Sequence, residues 1–293
     1  MLWILLTLTA APLQVARNAM QRSLVGDAGP WGATLVRFLF GLPFSIAMLA
    51  VVWAMTPDAN PSFSQAFWTG ALFGAVAQVA ATGALLMAMG RSGFAVATLF
   101  QQASLPMTAL LGWWALGDAL SPAAWAGVLA ASAGLVVLSW PRKGEARAAV
   151  AGALLGLVAA AFYAVAFNGY RQAGQALDPA NPLVSAIITL ATAQAMQSAT
   201  LGGLLALTRP QALKAVVGSW RSSLAAGFFG SAASACWFGA LALAPAAQVR
   251  AVGLVEGPVA ALVGRRLFRE RLSLRQWLGG AMTTLGVLAC VLA

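Results

Sequence analysis

Long apolar runs separated by short polar breaks dominate the chain. Runs without any charged residue extend over 38–57, 59–90, 92–117, 119–141, 148–170, 179–208, 222–249 and 276–293. About 20 apolar residues are enough for one helical crossing of the hydrocarbon layer, at ~1.5 Å of rise per residue. The pattern therefore predicts an integral membrane protein made almost entirely of transmembrane helices.

Asp, Pro, Gly and Trp residues subdivide these runs and mark helix ends. Ten transmembrane helices are predicted, near residues 2–22, 30–54, 65–89, 93–115, 122–140, 148–172, 182–207, 220–244, 246–265 and 275–292. Most of the 11 tryptophans lie near these ends, where an indole prefers the headgroup level, and Trp237 inside the eighth helix is the exception. Residues 1–16 are as apolar as a signal peptide, but they lack a basic leading region and a clear cleavage site, so we expect them to begin the first spanning helix.

The composition supports a membrane protein and excludes other classes. Of the 293 residues, 61% are hydrophobic and 8% are charged, whereas a soluble domain has about 25% charged residues. The net charge of +10 comes from short basic clusters between apolar runs, which favours a role in topology over a nucleic-acid partner. The chain has no histidine, and the predicted helices contain no paired carboxylates, so we expect no metal site, no cofactor and no intramembrane enzyme.

Basic residues are distributed unevenly between the predicted loops. The connections after odd-numbered helices carry Arg17, Arg22, Arg91, Arg142, Lys143, Arg147, Arg209, Lys214, Arg221, Arg265, Arg266, Arg269, Arg271 and Arg275. The connections after even-numbered helices carry only Arg171 and Arg250. By the positive-inside rule the odd-numbered loops face the cytoplasm, and both termini are predicted in the periplasm, as in a multi-pass protein of a bacterial inner membrane.

The two halves of the chain resemble each other in sequence. At one constant offset, Pro106 aligns with Pro258, Asp118 with Glu270, Ser121 with Ser273, Trp125 with Trp277 and Gly127 with Gly279. A five-helix unit makes an odd number of crossings, so its second copy must be inverted in the membrane. We expect a first repeat over 1–140, a cytoplasmic connector over 141–147 and a second repeat over 148–293. Inverted repeats of this kind form secondary transporters with a substrate site near the midplane, which argues against a scaffolding protein.

The repeated motif resembles that of a known transporter family. Pro106-x-x-Ala109-Leu110, followed by Gly117-Asp118-x-Leu120-Ser121, returns as Pro258 followed by Glu270-Arg271-Leu272-Ser273. This pattern is similar to EamA-type members of the drug/metabolite transporter superfamily. The resemblance implies an all-α integral membrane protein with ten transmembrane helices in two inverted five-helix repeats. Among the members, the chain looks most like the bacterial amino-acid exporters, including the aromatic amino acid exporter.

That resemblance also implies a function. It implies export of amino acids, aromatic and other neutral ones over a broad range, by alternating access through a central cavity. The alternative is an exporter of other small metabolites or drugs by proton antiport. The expected partners are the amino-acid substrate and the lipid bilayer, and we expect a monomer.

Polar and aromatic residues inside the predicted helices are the candidate substrate contacts. They are Gln78, Thr82, Thr98, Gln101, Gln102, Tyr163, Asn168, Ser234, Trp237 and Glu256. An amino acid needs hydrogen-bond acceptors for its ammonium group, donors for its carboxylate and an apolar wall for its side chain. The alternative roles are interhelical hydrogen bonding for the Gln and Thr residues and ordinary packing for Tyr163 and Trp237.

Glu256 is the acidic residue nearest a predicted midplane, about ten residues and hence ~15 Å into the ninth helix. It is expected to form a structural or gating ion pair with Arg37 of the second helix, or to contact the substrate ammonium group. It could also accept a proton, although one acidic group is little for proton coupling, and we favour uncoupled transport.

Two prolines occupy equivalent places in the repeats, Pro106 in the fourth helix and Pro258 in the ninth. Each lacks a backbone N–H and disfavours a straight helix, so kinks are expected there. We hypothesise that these helices bend to close the cavity on alternate sides. The alternative is a static bend that merely fits the bundle.

Overall fold

A computed structural model describes residues 2–116, 121–139, 147–244, 249–250, 252–270 and 273–292. The helices are α1 Leu2–Leu39, α2 Leu42–Met55, α3 Gln65–Ser92, α4 Phe94–Gln101, α5 Ser104–Leu116, α6 Pro122–Ser139, α7 Arg147–Leu177, α8 Pro182–Thr208, α9 Pro210–Gly218, α10 Trp220–Leu243, α11 Glu256–Leu267 and α12 Leu274–Leu292. A 3-10 turn, Gly253–Val255, precedes α11, and the described residues contain no strand. The prediction of an all-α protein is confirmed.

Large apolar side chains cover the outside of the helices, as they do in a protein surrounded by lipid. Phe73 of α3 is 66% exposed and Leu285 of α12 is 65% exposed. Within the described part of the chain, four helical stretches are long and apolar enough to cross a bilayer: Leu2–Met55, Gln65–Ser92, Val150–Leu177 and Trp220–Leu243. The polar residues are instead gathered inside the bundle, which fits an integral membrane protein.

The first helix is longer than predicted. The sequence suggests an end near residue 22, but α1 continues to Ala28 and then breaks at Gly29, whose φ is 68°. A glycine adopts this left-handed conformation without the steric cost that a side chain would add. Pro30 follows and disfavours helical geometry at the residue before it, so the break falls at this point.

The helix pairs with the largest contacts reveal the internal symmetry. α3, the third helix of the first repeat, packs along α7, the first helix of the second repeat. The reciprocal pair, α1 with α10, packs in the same way, and the two fifth helices, α6 and α12, pack on each other. The third helix of each repeat therefore packs against the helix that begins the other repeat, as expected for two inverted copies. Residues 141–146 of the predicted connector lie outside the described residues, so the boundaries of the repeats stay a prediction.

The α3–α7 contact is close because two glycines face each other. A Cβ on Gly70 would lie 2.6 Å from the carbonyl oxygen of Gly169, and one on Gly169 would lie 2.8 Å from that of Gly70. Both distances are shorter than a carbon–oxygen contact allows, so the backbones approach only because both residues lack side chains. Small residues have this function in many membrane bundles.

The fourth predicted helix, 93–115, is not continuous. It divides into α4 and α5 just before Pro106, which has no N–H to donate to the carbonyl of Gln102. That carbonyl accepts instead from the amide of Leu105, at 3.1 Å. In the ninth predicted helix, 246–265, the 3-10 turn precedes Pro258 in the same way, so the expected kinks occur in both repeats.

The loop contacts separate the two ends of the bundle. The loop between α2 and α3 meets the turn between α7 and α8, where the Asp178 carboxylate accepts from the Asn60 amide at 2.9 Å and from the side chain of Asn181 at 3.0 Å. The bond from Asn181, followed by that from Asn60, holds the pKa of Asp178 below its ordinary value. Both segments follow even-numbered predicted helices, and we call this end the even side and the opposite end the odd side.

The structure also contains a short helix that the sequence analysis missed. α9 follows the seventh predicted helix on the odd side and packs against α1 and α8. Its Val216 is fully buried, whereas the neighbouring Val217 is 56% exposed. A short helix with one buried and one exposed face at a membrane end fits an interfacial position.

Candidate functional site

Buried polar side chains of both repeats meet between the long helices. We call the following set the central polar cluster: Gln14, Arg17, Arg37, Gln78, Thr82, Tyr163, Tyr170, Gln197, Ser234, Arg250 and Glu256. Each of these residues is at most 6% exposed. Polar groups buried in a membrane protein are costly unless they are partnered, so their arrangement needs a reason.

Arg37, in the second crossing of α1, connects three other helices. Its Nη1 donates to Thr82 Oγ1 of α3 at 3.2 Å, and its Nη2 donates to Ser234 Oγ of α10 at 3.1 Å. Thr82 Oγ1 in turn lies 3.2 Å from the Tyr163 hydroxyl of α7. Three predicted candidates, Thr82, Tyr163 and Ser234, thus surround one guanidinium.

A second group of hydrogen bonds lies around Tyr170, which follows Tyr163 in α7 after seven residues, about two helical turns. Its hydroxyl donates to Gln78 Oε1 at 2.9 Å. Gln197 of α8 donates from Nε2 to the same Gln78 oxygen at 2.9 Å and to the carbonyl of Ala75 at 3.1 Å. Gln78 is therefore fixed between two neighbours, which supports its alternative role as an interhelical hydrogen-bonding residue.

Glu256, at the start of α11, has a neutral partner. Its Oε1 accepts a 2.7 Å hydrogen bond from Nε2 of Gln14 in α1. The structure does not bring Glu256 and Arg37 together as the predicted ion pair. Within the described ranges, the single ion pair shorter than 4 Å joins Arg22 and Glu270. Arg37 instead donates to the hydroxyl groups of Thr82 and Ser234, because α3 and α10 are the helices next to it.

Arg17 and Arg250 lie inside the bundle, which corrects their predicted loop positions. Arg17 is fully buried in α1, and its Nε and Nη2 donate to Asn18 Oδ1 at 3.1 and 2.6 Å. Arg250 is 2% exposed, and its Nη2 donates to Ser104 Oγ at 3.3 Å. Its guanidinium carbon also lies 4.8 Å from the ring centroids of both Phe167 and Trp237, a cation–π geometry. Removing both arginines from the loops leaves the charge asymmetry between the two sides in the same direction.

On the odd side, the Glu270 carboxylate joins three segments of the chain. It accepts from Arg22 Nη1 at 2.6 Å and from the backbone amides of Phe94 and Ala95 at 2.7 and 3.0 Å. The two amides are free at the N-terminus of α4, where a carboxylate is favoured. The Arg22 guanidinium also covers the ring of Phe268 at 4.1 Å. We call Arg22, Phe94, Ala95, Phe268 and Glu270 the Glu270 clasp.

An apolar cavity of about 340 Å³ lies between α4, α11 and α12. Its lining includes Leu99, Pro258 and the exposed residues Trp277 and Leu285. Because these side chains belong to the outer faces of the helices, the cavity opens towards the lipid. The polar chemistry of the molecule is in the central polar cluster.

Comparison with known proteins decides the family. A model of the EamA-like transporter family matches residues 1–140 and again residues 150–292. The chain belongs to the EamA-like transporter family. A crystal structure of a protein with 20% sequence identity has a TM-score of 0.64 and matches 99% of this chain and 96% of its own, which supports the fold. No curated protein matches the chain.

Membership of the EamA-like transporter family makes the protein a membrane transporter of small molecules. It confirms the resemblance to the drug/metabolite transporter superfamily at the level of the family. The two matched segments also agree with the internal repeat read from the sequence.

The other predicted substrate contacts of this EamA-like transporter fall into two groups, those whose polar atoms are hydrogen-bonded and those whose polar atoms are not. Thr98 and Asn168 donate to their own helices, to the carbonyls of Phe94 at 2.9 Å and Ala164 at 3.0 Å. The side-chain amides of Gln101 and Gln102 have no hydrogen-bond partner within the described ranges, and neither does the indole N–H of Trp237. These three residues are buried with their polar atoms still available.

Five members of the central polar cluster are not among the candidates predicted from the sequence: Gln14, Arg17, Tyr170, Gln197 and Arg250. The sequence does contain a signal for the first two. Gln14, Arg17, Asn18 and Gln21 recur at three- and four-residue steps, the spacing of one helix face, and all are buried. The sequence analysis assigns Arg17 to a loop because of its charge, and therefore does not predict this polar face of α1.

Proposed function

We propose that this EamA-like transporter exports amino acids, both aromatic and other neutral ones, across the bacterial inner membrane. The observation that carries the proposal is the presence of both charge signs in one buried cluster. Among the described residues, Glu256 has the neutral Gln14 as its only side-chain hydrogen-bond partner, and Arg37 has only hydroxyl groups. A zwitterion carries an ammonium group for the first and a carboxylate for the second.

Neutral and aromatic neighbours complete the proposed site. Gln101 and Gln102 have side-chain amides that lack partners, so they have donors and acceptors to offer to a substrate. Phe167 stacks on Tyr163 with ring centroids 5.9 Å apart, and Trp237 flanks Arg250. These rings would form the apolar wall for the substrate side chain, as in most small-molecule sites.

The proposed mechanism is alternating access. The Glu270 clasp ties α1, α4 and the segment after α11 together at the odd side, which supports a closed pathway there. The break before Pro106 separates α4, which belongs to the clasp, from α5, whose Ser104 accepts a hydrogen bond from Arg250. The 3-10 turn before Pro258 separates Arg250 from α11, which begins with Glu256. Opening the clasp while the even side closes would expose the cluster to each side in turn.

Flux of radiolabelled phenylalanine into proteoliposomes tests this proposal. We expect saturable uptake, recovery of unchanged phenylalanine and no comparable uptake of a sugar or a cationic drug. Tyr163→Phe removes the hydroxyl beside Thr82 but keeps the ring, so KM should rise roughly 2- to 10-fold, the usual worth of one hydrogen bond.

The matched control is Phe162→Leu, because Phe162 adjoins Tyr163 in sequence but is 41% exposed on the outer face. Its KM should equal that of the native protein. Uptake of a sugar or a drug instead of phenylalanine would overturn the choice of amino acids. Chemical conversion of the substrate during uptake would overturn transport itself.

Export of another metabolite by proton antiport is the second candidate. It is favoured by the burial of Glu256, since a carboxylate in this position can bind a proton during a transport cycle. We favour uncoupled transport because the described part of the central polar cluster contains no second carboxylate.

A further inference from the structure

The central polar cluster contains more buried positive than negative charge. Arg17, Arg37 and Arg250 are each at most 3% exposed, and Glu256 is the one carboxylate in the cluster. Arginine stays protonated in proteins, and tyrosine is neutral at physiological pH. The cluster therefore keeps two positive charges that no carboxylate in the described part of the chain balances.

None of the three guanidinium groups donates to a carboxylate within the described residues. Their acceptors are the side chains of Asn18, Thr82, Ser234 and Ser104. Several of their N–H groups find no acceptor among the residues that the structure describes, namely Arg17 Nη1, Arg37 Nε, and Arg250 Nε and Nη1. A buried cation without a counter-ion and with unused donors is strongly disfavoured, unless an anion binds there for part of the cycle.

The three arginines lie close enough to act on one ligand. The side chains of Arg17 and Arg37 both pack against Gly230 of α10. A Cβ on this glycine would lie 3.3 Å from Arg17 Cδ and 3.1 Å from Arg37 Cγ. Arg37 donates to Thr82, whose Oγ1 lies 3.2 Å from the Tyr163 hydroxyl. Arg250 lies over the ring of Phe167, which stacks on Tyr163.

A purely structural role does not explain this arrangement. Two neighbouring buried cations repel each other, and neutral side chains of similar size would fill the space without that cost. Function often retains such destabilising groups. The feature that would stabilise the cluster is a negative charge brought in by the substrate.

We propose that the central polar cluster recognises a carboxylate, and that the substrate needs this carboxylate but not an ammonium group. The preferred substrate class is small organic monocarboxylates, which include deaminated analogues of amino acids. Glu256 disfavours a second negative charge on the ligand, and the rings of Phe167 and Trp237 beside Arg250 favour an aromatic or apolar body. The inference rests on the proposed transport of amino acids and specifies which end of the substrate is bound.

Three compounds of nearly equal shape test it. Phenylalanine carries both charged groups, 3-phenylpropionate only the carboxylate and phenethylamine only the ammonium group. Binding of each to the purified full-length protein is measured by calorimetry, together with inhibition of phenylalanine flux in proteoliposomes. We expect 3-phenylpropionate, which lacks the contact with Glu256, to bind within about tenfold of phenylalanine. Phenethylamine should bind at least about tenfold more weakly than 3-phenylpropionate, as loss of the carboxylate contacts predicts.

The variants separate recognition from folding. Arg17→Gln should weaken 3-phenylpropionate binding about tenfold or more while the melting temperature stays equal or rises, because the change removes repulsion from Arg37. Arg37→Lys keeps the charge but loses the planar pair of donors, so its affinity should be intermediate. Arg209→Gln, at an exposed residue, is the control and should bind like the native protein.

The outcomes distinguish this inference from the proposed function. If phenylalanine is transported and phenethylamine competes as well as 3-phenylpropionate, the carboxylate inference is wrong and amino-acid transport stands. If 3-phenylpropionate is transported and phenylalanine is not, amino-acid export is wrong and carboxylate recognition stands. If none of the three compounds binds, both are overturned. A lower melting temperature of Arg17→Gln with unchanged affinity would assign the arginine a structural role.

Discussion

Glu256 is held by a single neutral hydrogen bond, and this environment decides how it can contribute to transport. The amide of Gln14 stabilises either protonation state of the carboxylate, since an ionised oxygen and a protonated carbonyl oxygen both accept a hydrogen bond. Since this bond does not select one protonation state, a substrate ammonium group is the partner that would hold the carboxylate ionised inside the membrane.

Replacing Glu256 by glutamine tests this role. In the native protein we expect the same phenylalanine flux, within twofold, with and without an imposed pH gradient. Glu256→Gln should raise KM for phenylalanine about tenfold, the usual worth of a lost charged contact, and leave flux insensitive to the gradient. The measurement is radiolabelled flux in proteoliposomes at several substrate concentrations. Accumulation driven by the gradient in the native protein, and lost in the variant, would instead establish proton antiport.

Individual residues were predicted with uneven success, for a physical reason. Thr82, Tyr163 and Ser234 were chosen because they are polar inside apolar helices, and they meet at Arg37. Their partner could not be predicted, because contacts between helices far apart in sequence depend on packing that spacing along one helix does not contain. Arg17 was assigned to a loop because a lone arginine usually avoids the membrane interior.

Among the helices, the paired breaks are the features most clearly tied to the sequence. Pro106 and Pro258 each lack the N–H that would continue the helical ladder, and both breaks lie just before them. The extra break at Gly29 depends on a positive φ, which the sequence only permits. Prolines that remove a hydrogen bond are therefore more predictive of a kink than glycines that allow one.

Restoring the hydrogen bonds tests whether these breaks are needed for transport. We expect Pro106→Ala with Pro258→Ala to straighten both helices, raise the melting temperature and lower the maximal flux about tenfold, because a straight helix resists bending. The control is Pro210→Ala, since Pro210 begins α9 at the surface and interrupts no transmembrane helix. Unchanged flux in the double variant would argue for a static bend.

The Glu270 clasp connects helices that are distant in sequence, namely α1, α4 and the segment that follows α11. One carboxylate binds the Arg22 side chain and caps the N-terminus of α4. Its repeat equivalent, Asp118, lies outside the described residues. The sequence analysis gave Arg22 only a role in topology, because nothing in the spacing of the two residues predicts their contact.

Weakening the clasp should open the odd side. Ala97, one turn into α4 behind the clasp, is fully buried, so Ala97→Cys should react slowly with a membrane-impermeant maleimide in a background without Cys236 and Cys290. Adding Glu270→Gln removes the ion pair and weakens the helix cap, and labelling from the odd side should rise about tenfold. Arg265→Gln, an exposed change on the same side, should leave labelling slow. Equal labelling in all three proteins would show that the clasp does not close the pathway.

For the whole molecule, the symmetry of the packing was the most predictable property. An offset that aligns Pro106 with Pro258 implies two five-helix units, and an odd number of crossings requires inversion. The reciprocal packing of α3 on α7 and α1 on α10 follows from that relation. The charge balance of the interior could not be predicted, because it depends on which arginines enter the bundle and which stay at its surface.

The orientation of the molecule is the remaining prediction at this scale. The described loops after odd-numbered helices lie at one end, and the odd-numbered connections carry most of the basic residues of the chain, so the positive-inside rule predicts that this end faces the cytoplasm. Ser62 lies in the α2–α3 loop on the even side, and Ser222 lies near the start of α10 on the odd side; both are exposed. Each tolerates cysteine, since serine and cysteine are nearly equal in size.

Single-cysteine proteins, Ser62→Cys and Ser222→Cys, are to be treated in spheroplasts with an impermeant maleimide, again without Cys236 and Cys290. We expect Ser62→Cys to be labelled at once and Ser222→Cys only after the membrane is permeabilised. The reverse pattern would invert the orientation and leave the two-sided arrangement intact. Labelling of both in intact spheroplasts would place the two ends of the bundle on one side of the membrane, which two inverted five-helix repeats cannot do. The charge asymmetry would then need an explanation other than topology.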